Sequence, residues 1–163
     1  MKKEEEVIIK KVIPTFECEV LGAKRTDYIN DILIKMGEKS FSQIPVVNDN
    51  WQVTELINTN TISRWASEKL KKFDTIVIDK VKVEELISKI EFKKNYKFIS
   101  RNTSVYDAFH MFLKHIKDER RYLDVLFITD SGESTEKLLG LITIDDIANN
   151  EDIKLLKCHK NLQ

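Results

Sequence analysis

Glycine and proline are scarce, four and two residues in a chain of 163. That excludes collagen-like, loop-dominated and low-complexity architectures. Cysteine is scarcer in effect. Cys18 and Cys158 stand far apart and in no metal-like spacing, so both read as free thiols of a reducing compartment. No apolar run approaches the roughly 20 residues of a membrane helix, and "MKKEEEVIIKKVIP" has no apolar signal-peptide core. A cytoplasmic protein with no membrane contact and no lipid anchor is expected. An excess of one charge is also missing. Lys plus Arg and Asp plus Glu number 27 each, so no global field steers the chain to nucleic acid.

Catalytic signatures are absent as well. There is no Ser-His-Asp set, no Gly-rich P-loop and no zinc hydrolase motif. His110 and His115 are badly spaced for a shared metal on one helix, and His159 has only Cys158 beside it. The expectation is a protein that is not an enzyme and holds no metal.

What is present is a repeat. "TDYINDILIKMG" carries Ile29, Ile32, Leu33 and Met36 at i, i+3, i+4, i+7, a buried helical stripe. "NTSVYDAFHMFL" carries Val105, Ala108, Phe109 and Phe112 at the same spacing. Capping residues precede each helix, Thr26-Asp27 and Asn102-Thr103-Ser104. An apolar strand follows each, "IPVVND" and "VLFITD". A second strand then runs into a second helix, "ELINTNTISRWA" and "GLITIDDIANNE". Upstream, "VIIKKVIPTFECEVLG" reads as extended chain, and "YKFIS" opens the second copy. The order strand, helix, strand, strand, helix thus occurs twice. The segments "HIKDERRYLD" and "SGESTEK" lengthen the second copy and are expected outside the core, where length is tolerated. Between the copies, "TIVI" predicts a short strand. "VEELISKI" predicts a helix with Val83, Leu86, Ile87 and Ile90 on one face. The boundaries are 12–68 for the first copy, 69–95 for the connector and 96–152 for the second, with tails 1–11 and 153–163. "KDERRY" around Arg120 and Arg121 reads as a solvated helix end, or as two guanidinium groups offered to phosphate; Trp51 and Trp65 read as packing anchors, with a dimer partner as the alternative for Trp65.

The stretch from Gly140 to Asp146 asks the functional question. Thr143 stands where strand becomes helix, and Asp146 is one turn on. Thr-x-x-Asp is close to a capping box and would stabilise the helix start by roughly 1 kcal/mol. The same pair also offers a hydroxyl and an acceptor-only carboxylate on one side of a helix start, which suits a phosphate and two sugar hydroxyls. In the first copy Gly140, Thr143 and Asp146 become Glu55, Asn58 and Thr61. Asn keeps the cap, but the carboxylate is gone and Glu55 adds negative charge.

Two β-α-β-β-α copies, "IPVV" after the first helix and "GLITIDDI" at the end of the second resemble a tandem pair of CBS domains, named after cystathionine β-synthase. The likeness covers nearly the whole chain and is more specific in its second copy. The resemblance implies an α/β fold in which two repeats pack as a pseudo-twofold pair. It implies homodimers of such pairs and a regulatory module that binds an adenine nucleotide in a cleft between repeats. AMP, ATP, S-adenosylmethionine and cyclic di-AMP are the class. It places phosphate on Thr143 and ribose on Asp146. It places the base against "YKFIS", with Ile99 and Ser100, and "VLFI", with Leu126; Asp145 joins the candidate ligand residues. No cofactor is required. The alternative is a ligand-free module that dimerises or docks on an effector protein.

Overall fold

The computed structural model describes residues 20–73 and 75–149. Most of the extended segment expected before the first helix, both tails, and Cys18, Cys158 and His159 lie outside these residues. The chain divides into two compact units. Among the described residues, one gathers Val20–Asn95 with Ser134–Leu138, and the other gathers 96–133 with 139–149.

The first of these holds α1 (Ile29–Lys39), β1 (Gln43–Val47), β2 (Val53–Asn58), α2 (Thr59–Leu70) and a short α3 (Glu84–Ile87). β1 and β2 pair antiparallel, with an irregularity at Val46/Val47. Ala23 runs parallel beside β1, bonding the Pro45 carbonyl and the Val47 N–H at 3.0 and 2.8 Å. The stripe read from sequence is real: Ile29, Ile32 and Met36 are buried, and Leu33 packs against the same core. Trp65 of α2 is buried among them, as a packing anchor should be.

Two local expectations fail here. "TIVI" is not a strand; Ile76 and Ile78 pack on the core from irregular backbone, while Val77 faces solvent. Apolar β-branched residues favour extension only where a partner strand accepts their hydrogen bonds. The bridge that does form here joins Tyr28 to Lys82. The helix of "VEELISKI" shrinks to the four residues of α3. Val83 and Glu84 donate their N–H groups to Asp27 and Arg25, which docks the helix start on the loop before α1. The cap of α1 differs too. Tyr28 is the N-cap and makes no side-chain cap bond; Asp27 instead accepts from the Lys24 N–H.

The second unit holds β3 (Tyr96–Ser100), α4 (Val105–Glu119), β4 (Val125–Thr129), β5 (Gly140–Ile142) and α5 (Ile144–Asn149). β4 is central, parallel to β3 and antiparallel to β5. Ser104 caps α4 as expected, accepting from the Asp107 N–H at 2.9 Å. One core joins Ile99, Leu126, Ile128 and Ile142 of the sheet to Val105, Ala108, Phe112 and Ile147 of the helices. Side chains alternate across a strand, so Tyr96, Phe98 and Phe127 share the other face. There their rings meet with centroids 5.0–5.8 Å apart.

The two lengthened segments are less peripheral than their polarity suggests. In "HIKDERRYLD", α4 continues to Glu119, and His115 and Leu123 are buried. Arg120 ends that helix in the left-handed region at φ 55°, with its N–H on Ile116 O; the helix end read from "KDERRY" stands. After "SGESTEK", Leu138 is buried. No helix among the described residues is long and apolar enough to cross a membrane.

Candidate functional site

Ile142 and Ile147 are both fully buried in the core of the second unit. The four residues between them are therefore held from both ends. Thr143 leaves β5 and Asp146 closes the first turn of α5. The Asp146 Oδ2 accepts from the Thr143 N–H at 2.8 Å and from its hydroxyl at 2.7 Å. The Asp146 N–H points back at the Thr143 Oγ1, 3.3 Å away. This is the reciprocal capping arrangement, with an acid in place of Glu or Gln. Both side chains reach solvent, and among the described residues nothing binds the Asp146 Oδ1. Asp145 stands exposed beside them in the same first turn.

Other candidates are placed differently. Ile99 and Leu126 have their side chains in the core, at 4% and 0% exposure. Strand register separates Ser100 from Thr143. Tyr96 pairs with Val125 and Ser100 with Thr129, whereas Ile142 pairs with Leu126. Thr143 thus leaves the sheet at the Tyr96–Val125 end. Ser100 sits at the opposite end, about 13 Å away along the strands at roughly 3.3 Å per residue. Its hydroxyl donates to Asp130 O at 3.0 Å and accepts from the Asn102 N–H at 3.1 Å. Gly132 belongs to that turn as well. A Cβ there would lie 3.1 Å from the Ser100 nitrogen, and its φ of +95° suits glycine alone. The structure brings Thr143 and Asp146 into contact and leaves Ser100 at the far end of β3.

The equivalent junction of the first repeat is closed. Asn58 caps α2, its Oδ1 accepting from the Thr61 N–H at 3.0 Å and hydroxyl at 3.1 Å. Thr61 is 2% exposed. Glu55, in the place of Gly140, is ion-paired to Arg25 and accepts from the Thr54 hydroxyl. Its charge is answered inside the protein. Arg25 was not among the residues singled out from sequence. The signal was there: Arg25 precedes Ile29 by the same interval as Arg101 precedes Val105, and Arg101 likewise pairs with an acid, Asp130.

Among the described residues no group of three or more His, Cys, Asp or Glu side chains converges as for a metal ion. His110 stacks on Tyr106 with centroids 4.1 Å apart, and His115 is buried on the same helix.

Residues 83–151 match the family model of the CBS domain. No curated protein matches the chain. Among solved structures, a putative acetoin utilization protein (AcuB) from Vibrio cholerae is similar over 94% of this chain and 98% of its own, at 14% identity and a TM-score of 0.61. The CBS domain pair of protein MJ0100, solved with 5′-methylthioadenosine and S-adenosyl-L-methionine, is similar over 86% of this chain and 94% of its own, at 15% identity and a TM-score of 0.59. CBSX2, solved with AMP, is similar over 79% and 84%, at 17% identity and a TM-score of 0.51.

Proposed function

We propose, from the match of residues 83–151 to the CBS-domain family model and from the fold shared with a solved CBS domain pair, that this chain is a regulatory module whose second repeat binds an adenine nucleotide. The observation that carries the proposal is the Thr143–Asp146 pair: solvent-facing, held in place by buried Ile142 and Ile147, and with one carboxylate oxygen uncommitted among the described residues. Ligand entry is an exchange of partners. The Thr143 hydroxyl turns its proton from Asp146 to a phosphate oxygen, and ribose hydroxyls donate to the freed carboxylate. Donors and acceptors stay matched, so the exchange leaves no polar group stranded. Fold relatives solved with AMP and with S-adenosyl-L-methionine support the ligand class.

Ile99 and Leu126 contribute through the backbone and register of β3 and β4, since their side chains are in the core. Ser100 contributes only to a ligand long enough to reach the far end of the sheet. Asp145 next to Asp146 puts two carboxylates beside the phosphate position. That opposes a polyphosphate and favours AMP, or a ligand with a cationic group such as S-adenosylmethionine, over free ATP. A ligand that binds two arrangements of a homodimer unequally shifts their populations, which is the regulatory step.

A second reading, a module that dimerises or docks on an effector protein without ligand, is favoured by α4. Tyr106, His110 and Leu113 recur there at i, i+4, i+7, and Tyr106 and Leu113 are exposed. Thermal unfolding with a panel of AMP, ATP, S-adenosylmethionine and cyclic di-AMP separates the two. A rise in Tm with one of them supports the sensor. No shift with any, and no nucleotide by mass spectrometry of the purified protein, supports the docking module.

A further inference from the structure

An open cavity of about 270 Å³ lies between α2 and the turn that follows α3. Buried Thr61 and Trp65 fix the inner face of α2. Arg64 and Glu68, four residues apart, therefore stand side by side on its outer face. The opposite wall is anchored by buried Leu86. There the Lys89 N–H donates to Leu86 O at 2.8 Å and the Ile90 N–H to Ile87 O at 3.3 Å. Ser88, Lys89, Ile90 and Glu91 line the cavity from this side. Both walls belong to one compact unit.

The charges of the lining cancel. Arg64 is ion-paired with Glu91 at 2.8 Å, and Lys89 is ion-paired with Glu68. The hydrogen bond from Lys89 holds the Glu68 carboxyl below the ordinary range, so that acid stays ionised. Lys89 is the least exposed of the four, whereas Arg64 and Glu91 are each about half exposed. Water already screens the Arg64–Glu91 pair, so it opens at the smaller cost. A free anion in the cavity would meet Glu68 and Glu91 as well as the cations, and a free cation would meet the converse. A zwitterion avoids both conflicts. Its carboxylate takes the fork of Arg64, its ammonium takes Glu91, and every charge keeps a partner. Of the lining residues Ile90 alone is apolar, half-buried against the core. The volume falls below the roughly 300–1,000 Å³ of sites for drug-sized ligands, which suits a smaller molecule.

We propose that this cavity of the first repeat binds a free α-amino acid with an aliphatic side chain, inserted between Arg64 and Glu91 and resting on Ile90. The site shares no residue with the Thr143–Asp146 junction, and its ligand is a different chemical class from the nucleotide.

Calorimetric titration of the full chain with L-leucine, L-isoleucine, L-valine and L-methionine tests it. Two further probes are 4-methylpentanoate and 3-methylbutylamine, which are leucine without its amine and without its carboxylate. At least one amino acid should bind with a Kd of about 1 mM or tighter. Both analogues should bind at least about tenfold more weakly, because each leaves one pole of the opened pair without a partner. Arg64→Gln and Glu91→Gln should each weaken the amino acid by a similar factor. Lys69→Gln breaks the neighbouring pair with Glu85, outside the cavity, and should leave affinity unchanged. If a variant fails to fold, the two analogues carry the test on the wild-type chain. No binding of any of the four amino acids would overturn the proposal. So would an analogue that binds as well as the amino acid, retained affinity in either folded cavity variant, or an equal loss in Lys69→Gln.

Discussion

Asn58 and Thr61 are the inverse of Thr143 and Asp146. In the first repeat the acceptor stands at the cap and takes both protons of Thr61. In the second the acceptor stands one turn later and takes both protons of Thr143. The hydrogen bonds are alike and the outcome differs. One pair joins buried Thr61 to a half-buried neutral amide; the other reaches solvent with a carboxylate.

Removing the first pair should therefore be a matter of stability alone. Asn58→Ala strips the cap of α2 and leaves the Thr61 hydroxyl buried without its acceptor. A loss of about 1–2 kcal/mol in denaturant unfolding is expected, with nucleotide affinity at the second repeat unchanged. A changed affinity with unchanged stability would show that the first junction holds ligand.

The packing of the second unit makes a plainer prediction. Phe112 is 1% exposed, between sheet and helices. Phe112→Ala should cost about 3–5 kcal/mol. Exposed Leu113, its neighbour in sequence, should tolerate alanine within about 0.5 kcal/mol. Urea unfolding of the pair of variants checks the contrast.

Deleting Glu133–Glu136 asks whether "SGESTEK" is only a loop. Its polarity says so, yet the deletion removes the Thr135 carbonyl, which accepts from the Gln52 side chain, and pulls on buried Leu138. A fall of about 1–3 kcal/mol in unfolding free energy is expected. Unchanged stability would mean that the segment is ornamental.

Asp49 offers a check by pH. The Lys24 ammonium, 2.6 Å away, holds its carboxyl below the ordinary range, first by hydrogen bonding and then by charge. A depressed folded-state value stabilises above the unfolded pKa, and that contribution fades as pH falls through the folded value. Both groups are exposed, so the effect on stability is small and screened by salt. NMR titration should find the Asp49 carboxyl below the usual Asp range in wild type, and back within it in Lys24→Met.

The repeat was legible because burial imposes periodicity. Ile29, Ile32 and Met36, like Val105, Ala108 and Phe112, must face a core, and the sequence carries that spacing openly. Thr143 and Asp146 were legible because capping is local. "TIVI" misled because a strand needs a partner, and partnership lies far away in sequence. The place of Ser100 was hidden for the same kind of reason: only register reveals that it lies at the end of the sheet opposite Thr143. Arg25, Gln52 and Thr135 act through distant partners, and polar residues of that sort look like surface until the chain is folded.

The central claim rests on one carboxylate. Asp146→Asn keeps the volume and an acceptor for Thr143, but it turns a charged acceptor of ribose hydroxyls into a half-donor. Calorimetric titration of wild type and Asp146→Asn with AMP and S-adenosylmethionine, beside urea unfolding of both without ligand, is the direct measurement. The account predicts that wild type binds one of them, and that the variant binds it about tenfold to a hundredfold more weakly, a loss of roughly 1.5–3 kcal/mol. Stability without ligand should move by less than about 1 kcal/mol. Equal affinity in the two proteins, or no binding by wild type, would contradict it.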